Sequence, residues 1–229
     1  AYRNLACRVT HTTGAVSTTD TSDNFSVRPS FFTISSNMNN TTSSGDPKLK
    51  TGEAFEITAT AIAGYDQTPS LDDSKIQAHI DAIQVGTLDG SFSAADSTTG
   101  IATGTDFTYS EVGSFQVFVN GVYDDTFTAV DQGSDCSDDF SNTLNNGQYG
   151  CKFGNTSDSD YFGRFTPDHF ALISSSITAA CGTFSYMDQL FNISYLIEAR
   201  NSDDVVTQNY DTNTQFVKAT NIEITAEHD

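Results

Sequence analysis

Asp168-His169 is the pair in this chain whose residue types suit acid-base chemistry, since a carboxylate beside an imidazole can orient the ring and set its protonation near neutral pH. The surrounding segment argues for a packing role instead. Pro167-Asp168-His169-Phe170-Ala171-Leu172 repeats Pro29-Ser30-Phe31-Phe32-Thr33-Ile34, so Ser30-Phe31 stands where the acid and histidine stand. A catalytic histidine would not recur as phenylalanine at an equivalent strand entry, and His169 is read as packed at a domain junction. His11, His79 and His228 have no Ser, Cys or carboxylate at motif spacing, and no G-x-S-x-G, H-E-x-x-H or P-loop occurs. Glycoside hydrolysis needs only two carboxylates brought together in space, and thirty acidic residues always offer a pair by chance. No catalytic residue is assigned, and the chain is read as a non-enzyme.

Metal chemistry rests on Asp-rich loops at Asp72-Asp73, Asp124-Asp125, Asp135 to Asp139, Asp158 to Asp160 and Asp203-Asp204. Such loops offer the hard oxygen ligands that calcium takes in extracellular modules, and Asp124, Asp125, Asp158 and Asp160 are the calcium candidates. None has EF-hand spacing. The preferred reading is that these residues cap turns at strand ends, so no cofactor is expected and calcium is the alternative. The four cysteines form no zinc-spaced cluster. Cys136 and Cys151 bracket a loop rich in Asn, Asp and Gly, too poor in apolar residues to hold itself in place. A disulfide closing it would contribute about 3 kcal/mol and implies an oxidising compartment. Cys7 and Cys181 remain as the second pair by elimination, within one chain or between neighbours.

These residues must be positioned by strands. The repeat extends from the Phe32 and Phe170 segments through serine-rich loops to Phe55-Glu56-Ile57-Thr58-Ala59 and Phe191-Asn192-Ile193-Ser194-Tyr195, and then to Tyr65-Asp66 and Tyr210-Asp211. Repeated extended segments mean tandem β-domains. Seventeen Phe, nine Tyr, no Trp and 57 Ser plus Thr suit thin sandwiches with aromatic inner faces. The expected fold is all-β: tandem immunoglobulin-like β-sandwich modules, one complete and one or two partial. Residues 1–24 read as closing strands of a preceding or neighbouring-subunit domain, with Leu5, Cys7 and Val9 alternating as Phe115, Val117 and Val119 do later. Residues 25–162 read as the complete sandwich, with strands near 31–35, 53–62, 76–85, 91–94, 105–110, 114–120 and 122–129 and a junction loop at 131–162. Asn120-Gly121 reads as a hairpin turn. Residues 163–229 read as the first part of a second sandwich.

The formal charge of −20 leaves no basic patch to displace counterions, so nucleic acid is excluded as a partner. No apolar run approaches the roughly 20 residues that span a bilayer, so no membrane insertion is expected within this chain. Several stretches, taken together, resemble a repeat-bearing domain family of unassigned function found in MshQ-type proteins, large bacterial surface proteins associated with mannose-sensitive haemagglutinin type IV pili. They are Asp23-Asn24-Phe25-Ser26-Val27-Arg28-Pro29, Tyr109-Ser110-Glu111-Val112-Gly113, Gly121-Val122-Tyr123-Asp124-Asp125, Tyr149-Gly150-Cys151-Lys152-Phe153-Gly154-Asn155 and Gly163-Arg164-Phe165-Thr166-Pro167-Asp168-His169-Phe170. The resemblance covers nearly the whole chain, implies an extracellular or cell-surface β-sandwich protein and supplies no catalytic residues.

The expected function is a structural or adhesive module of a bacterial surface filament or pilus-associated protein. Its partners would be copies of itself or further domains of one long chain, with pilus components or surface glycans beyond. Assembly would be head to tail, with strands led by Leu5, Cys7 and Val9 completing a half-domain that exposes Phe170, Phe191 and Tyr195. The alternative is a carbohydrate-binding tip domain or a polysaccharide hydrolase.

Overall fold

Hydroxylated or acidic residues alternate with apolar ones along Phe55-Glu56-Ile57-Thr58-Ala59-Thr60, a period of two that gives a strand one apolar face. Phe55, Ile57 and Ala59 are buried and the intervening residues are half-exposed. In this computed structural model, which describes residues 1–14, 16–42, 45–46, 48–79, 82–210 and 225, the same pattern recurs along a chain of short strands. An N-terminal section holds β1 (Tyr2–Leu5), β2 (Arg8–Thr13), β3 (Val16–Thr21) and β4 (Phe25–Val27). A central section holds β5 (Thr33–Ser36), β6 (Asn39–Asn40), β7 (Leu49–Lys50), β8 (Phe55–Thr60), β9 (Ser70–Leu71), β10 (Ile76–Ala78), β11 (Leu88–Asp89), β12 (Ile101–Tyr109), β13 (Gly113–Val117), β14 (Val122–Asp124), β15 (Cys136–Ser137), β16 (Tyr149–Gly150), β17 (Phe153–Gly154) and β18 (Tyr161–Thr166). The long strands β19 (His169–Thr178) and β20 (Asn192–Arg200) follow. The protein is all-β and sandwich-like; its one short helical turn, among the described residues, is Asp73–Lys75.

The central section packs one sheet, β11-β12-β8-β5, against another, β10-β13-β18-β6, with β7 added in parallel to β18. Phe55 lies between them, its ring 5.2 Å from that of Phe165 and 6.3 Å from those of Phe115 and Phe107. A third sheet, β17-β14-β9, brings Phe153 against Phe32, Tyr65 and Phe127. Within that cluster Tyr65 donates a 2.7 Å hydrogen bond to buried Asp124, whose other oxygen accepts from the Thr126 amide and hydroxyl. Burial first, and then the hydrogen bond to Asp124, push the Tyr65 phenol well above its ordinary range.

Three sequence expectations change here. The strand expected at 91–94 is irregular, and Leu88–Asp89 pairs with Tyr109 and Thr108 in its place. The strand expected over 76–85 stops at Ala78, and its residues 80 and 81 lie outside the described residues. Asn120-Gly121 does not close a hairpin: Asn120 adopts φ 60°, but β13 and β14 join different sheets. Asn155 is the reason, since it accepts the Asn120 and Val122 amides and donates to Phe118 O, so the turn docks on a neighbouring strand.

The sections on either side repeat parts of the central one. β5 pairs with β8 so that Ile34 faces Ala59; β19 pairs with β20 so that Leu172 faces Ile197, and Phe170 meets Tyr210 at 5.4 Å as Phe32 meets Tyr65 at 5.4 Å. Ile193, rather than Phe191, takes the place of Phe55; the displacement equals one strand repeat and preserves the face. β1 pairs with β4 as β13 pairs with β18, with Leu5 opposite Phe25 and Phe115 opposite Phe162. The Cys7 amide donates to Ser22 Oγ, Ser22 Oγ donates to Asp23 O, and the Ser22 amide donates to Cys7 O. Val117, Ser159 and Asp160 make the same three bonds.

Phe55→Ala should cost about 3–5 kcal/mol by opening a cavity between the two sheets, measured by urea unfolding. Tyr65→Phe should cost about 1–3 kcal/mol, because Asp124 stays buried without its phenol donor.

Candidate functional site

The chain's most concentrated polar chemistry lies where β19 and β20 join the central section. Val112 and Gly113 turn the chain into β13 and leave Glu111 at the end of the sheet, only 2% exposed. Its Oε1 accepts the Asn209 amide at 3.1 Å and the Val112 amide at 2.8 Å; its Oε2 accepts the Gln208 amide at 2.8 Å and Gln84 Nε2 at 3.1 Å. Four N–H donors thus hold the buried carboxylate, which is what makes its burial tolerable. Asn209, fully buried, completes the tie: its Oδ1 accepts the Ile83 and Gln84 amides and its Nδ2 donates to Gln84 O and Val112 O. Asn201 adds a bond to Ser110 O. Gly52 sits at φ +85° with no room for a side chain, because a Cβ there would overlap Ser202.

On the surface beside this joint, His169 Nδ1 lies 2.9 Å from Asp168 and its Nε2 3.2 Å from Asp204. Lys50 meets Asp168 at 3.3 Å, and Arg200 spans Asp204 and Glu198. Asp168 first, and then Asp204, raise the His169 pKa above its ordinary value. Asp168 is lowered chiefly by His169, and Asp204 chiefly by Arg200. A carboxylate on each ring nitrogen favours the protonated form of the imidazole. The group is an ion cluster linking the two sections.

The calcium candidates do not converge. Asp124 is consumed by Tyr65 and Thr126, Asp158 accepts the Val119 amide, Asp160 accepts from Asn39, and Asp125 lies near Lys152. No group of three or more His, Cys, Asp or Glu among the described residues is placed to hold a metal. Cys136 and Cys151 are bonded, with Cα atoms 5.2 Å apart. Cys7 and Cys181 are free, which corrects their pairing by elimination within one chain: Cys7 lies beside the β1-β4 ribbon and Cys181 in the turn after β19, next to Gln189. Leu5 already faces Phe25, and Val9 lies exposed on the β2-β3 hairpin. Phe170, Phe191 and Tyr195 are all about half-exposed. His228 lies outside the described residues.

Two contributors escaped the sequence reading. Glu111 reads as an ordinary surface acid until its donors, about a hundred residues away in the chain, are known. Arg28 likewise gains its role only in space, where its guanidinium donates to Gly150 O, Ser141 O, Asn142 Oδ1 and Pro29 O and pins the disulfide loop.

A model of the third domain of DUF6701 matches residues 111–229, just over half of the chain, and the chain belongs to that family. Its boundary falls at Glu111, between β12 and β13. No curated protein and no solved structure matches the chain.

Glu111→Ala should cost about 1–3 kcal/mol through its stranded amide donors and speed hydrogen exchange at Gln208 and Asn209, read by mass spectrometry. For His169, the raised pKa means its ionic contribution is complete below about pH 6.5 and fades as pH rises through the folded value. The contributions of Asp168 and Asp204, held low, are complete above about pH 4 and fade as pH falls. An NMR titration should therefore place His169 above a free histidine, with Asp204→Asn bringing it back down.

Proposed function

We propose that this member of the DUF6701 family is a structural or adhesive module of an extracellular bacterial surface filament or pilus-associated protein, built from immunoglobulin-like sandwiches joined in series. The observation that carries the reading is the presence of apolar surface at both ends of the central section. At one end Tyr2, Val27, Phe31 and Ile62, all at least a third exposed, line an open groove of about 580 Å³. At the other, β19 and β20 present Phe170, Leu172, Ile177, Ile193 and Tyr195 to solvent. β8 runs between the two, from beside Gly52 at the Ser202 contact to Ala61–Ala63 in the groove. Contiguous exposed apolar faces mark protein–protein contact, and a repeating joint at each end is what a serial array requires.

Two further features fit an extracellular setting. The Cys136–Cys151 bond belongs to an oxidising compartment, and a charge of −20 favours solubility in saline surroundings. No helix among the described residues is long and apolar enough to cross a membrane. The groove that would best suit a glycan carries aromatic residues but no carboxylate in its lining, so a lectin or hydrolase draws no support from it.

The test is a glycan-array and polysaccharide-hydrolysis screen on the purified chain. We expect neither saturable glycan binding nor release of reducing ends; turnover abolished by one carboxylate substitution would overturn the module reading.

A further inference from the structure

β19 and β20 form an amphipathic ribbon. The register puts Phe170, Leu172, Ser175, Ile177, Ile193, Tyr195, Ile197 and Ala199 on one face, and His169, Ala171, Ser174, Ser176, Thr178, Asn192, Ser194, Leu196, Glu198 and Arg200 on the other, so that one face is apolar but for Ser175 and the other polar but for Ala171 and Leu196. In the central section the equivalent face, with Phe32, Ile34, Phe55, Ile57 and Ala59, is covered by β13 and β18, whose Phe115 and Phe165 rings lie against Phe55. A two-stranded ribbon with such a face exposed is not stable by itself. The central section therefore specifies what must cover it: a pair of strands equivalent to β13 and β18.

This chain carries such a pair. β1 and β4 reproduce the β13-β18 pairing, together with the three hydrogen bonds that Cys7 and Ser22 share with Val117 and Ser159. Leu5 stands for Phe115, Phe25 for Phe162 and Val27 for Phe165. The counterparts in the central section are fully buried, whereas Phe25 is 39% and Val27 43% exposed. In one copy the two pieces attach at different ends of β8: the residue 1 nitrogen is bonded to Gly64 O beside the groove, while the segment after β20 is tied through Gln208 and Asn209 to Glu111 and through Ser202 to Gly52.

We infer that the β1-β4 ribbon of one copy packs on the apolar face of β19-β20 of the next, making a composite sandwich in which Val27 and Leu5 lie against Ile193 as Phe165 and Phe115 lie against Phe55. The inference rests on the structural-module reading and names its partner, a second copy of this chain. The contact is heterologous, so it propagates head to tail. Every copy is acidic, so screening of the mutual repulsion strengthens it.

The test is analytical ultracentrifugation of the full 229-residue chain and of two variants, Val27→Asp and Ile193→Asp, in 0.15 M and 0.5 M NaCl. The wild type should form a concentration-dependent ladder, more strongly at the higher salt. Each variant alone should be monomeric, with association weakened at least about tenfold by the charge placed in the contact. Because each variant keeps the face that the other has lost, a one-to-one mixture should restore a discrete dimer. Thermal unfolding of the central section should match wild type, since Val27 and Ile193 lie outside it. A wild type that stays monomeric at every concentration, its ribbon being covered by its own chain or needing no cover, would overturn the inference; so would a Val27→Asp variant that still dimerises, which would mean β19-β20 faces pair with each other. A mixture that fails to associate overturns it as well. None of these results touches the module reading, which stands or falls on the glycan and hydrolysis screen.

Discussion

The contact of Phe55 with Phe115 and Phe165 is the constraint on which the rest of the molecule depends. Alternation makes a strand apolar on one side only, so a sheet built from such strands is stable when a second sheet covers that side. In the central section the main covering strands, β13 and β18, lie far along the chain from the pair they cover, since β8 ends at Thr60 and they begin at Gly113 and Tyr161. The serine-rich and Asp-rich connections are the means of bringing them round: they cap turns with their own side chains, as Asp72, Asp96 and Asp139 do for amides two residues on.

That constraint explains the two flanking ribbons. β1-β4 is paired as the covering strands β13 and β18 are, and β19-β20 presents an apolar sheet face that no described residue of this copy covers. Their exposed Tyr2, Phe25 and Val27 on one side and Phe170, Leu172 and Ile193 on the other follow from a single cause, namely that hairpin and cover are separated along the chain. The residues that the family model matches, 111–229, open on the covering strands β13 and β18 and run on into β19 and β20.

The joint between the central section and the segment after β20 uses a different kind of interaction. Flexible linkage would let an exposed face wander, but Glu111 and Asn209 exchange eight hydrogen bonds with their surroundings in a buried position. Buried polar networks of this completeness fix geometry more than they add stability. The outer ion cluster of Lys50, Asp168, His169, Arg200 and Asp204 is solvent-exposed and screened, so it contributes orientation at low cost and little binding energy.

Strand alternation, the tandem repeat and the Cys136–Cys151 loop were legible in the sequence, because each depends on residues near one another or on a local period. The all-β class, the strands at Phe55–Thr60 and Gly113–Val117 and the disulfide followed from that. The tertiary structure alone decided the rest. Asn120-Gly121 has the chemistry of a hairpin turn, yet Asn155 captures the Asn120 and Val122 amides on either side of Gly121, and β14 joins another sheet. Cys7 and Cys181 were left over in a count of four, yet they sit in different repeats and are not bonded to each other within the chain. Glu111 and Arg28 look like surface charges until chain segments about a hundred residues away supply their partners. Local periodicity sets which face of a strand is apolar; which distant segment covers it, and which distant amides reach a carboxylate, depends on long-range contacts that a linear pattern does not encode.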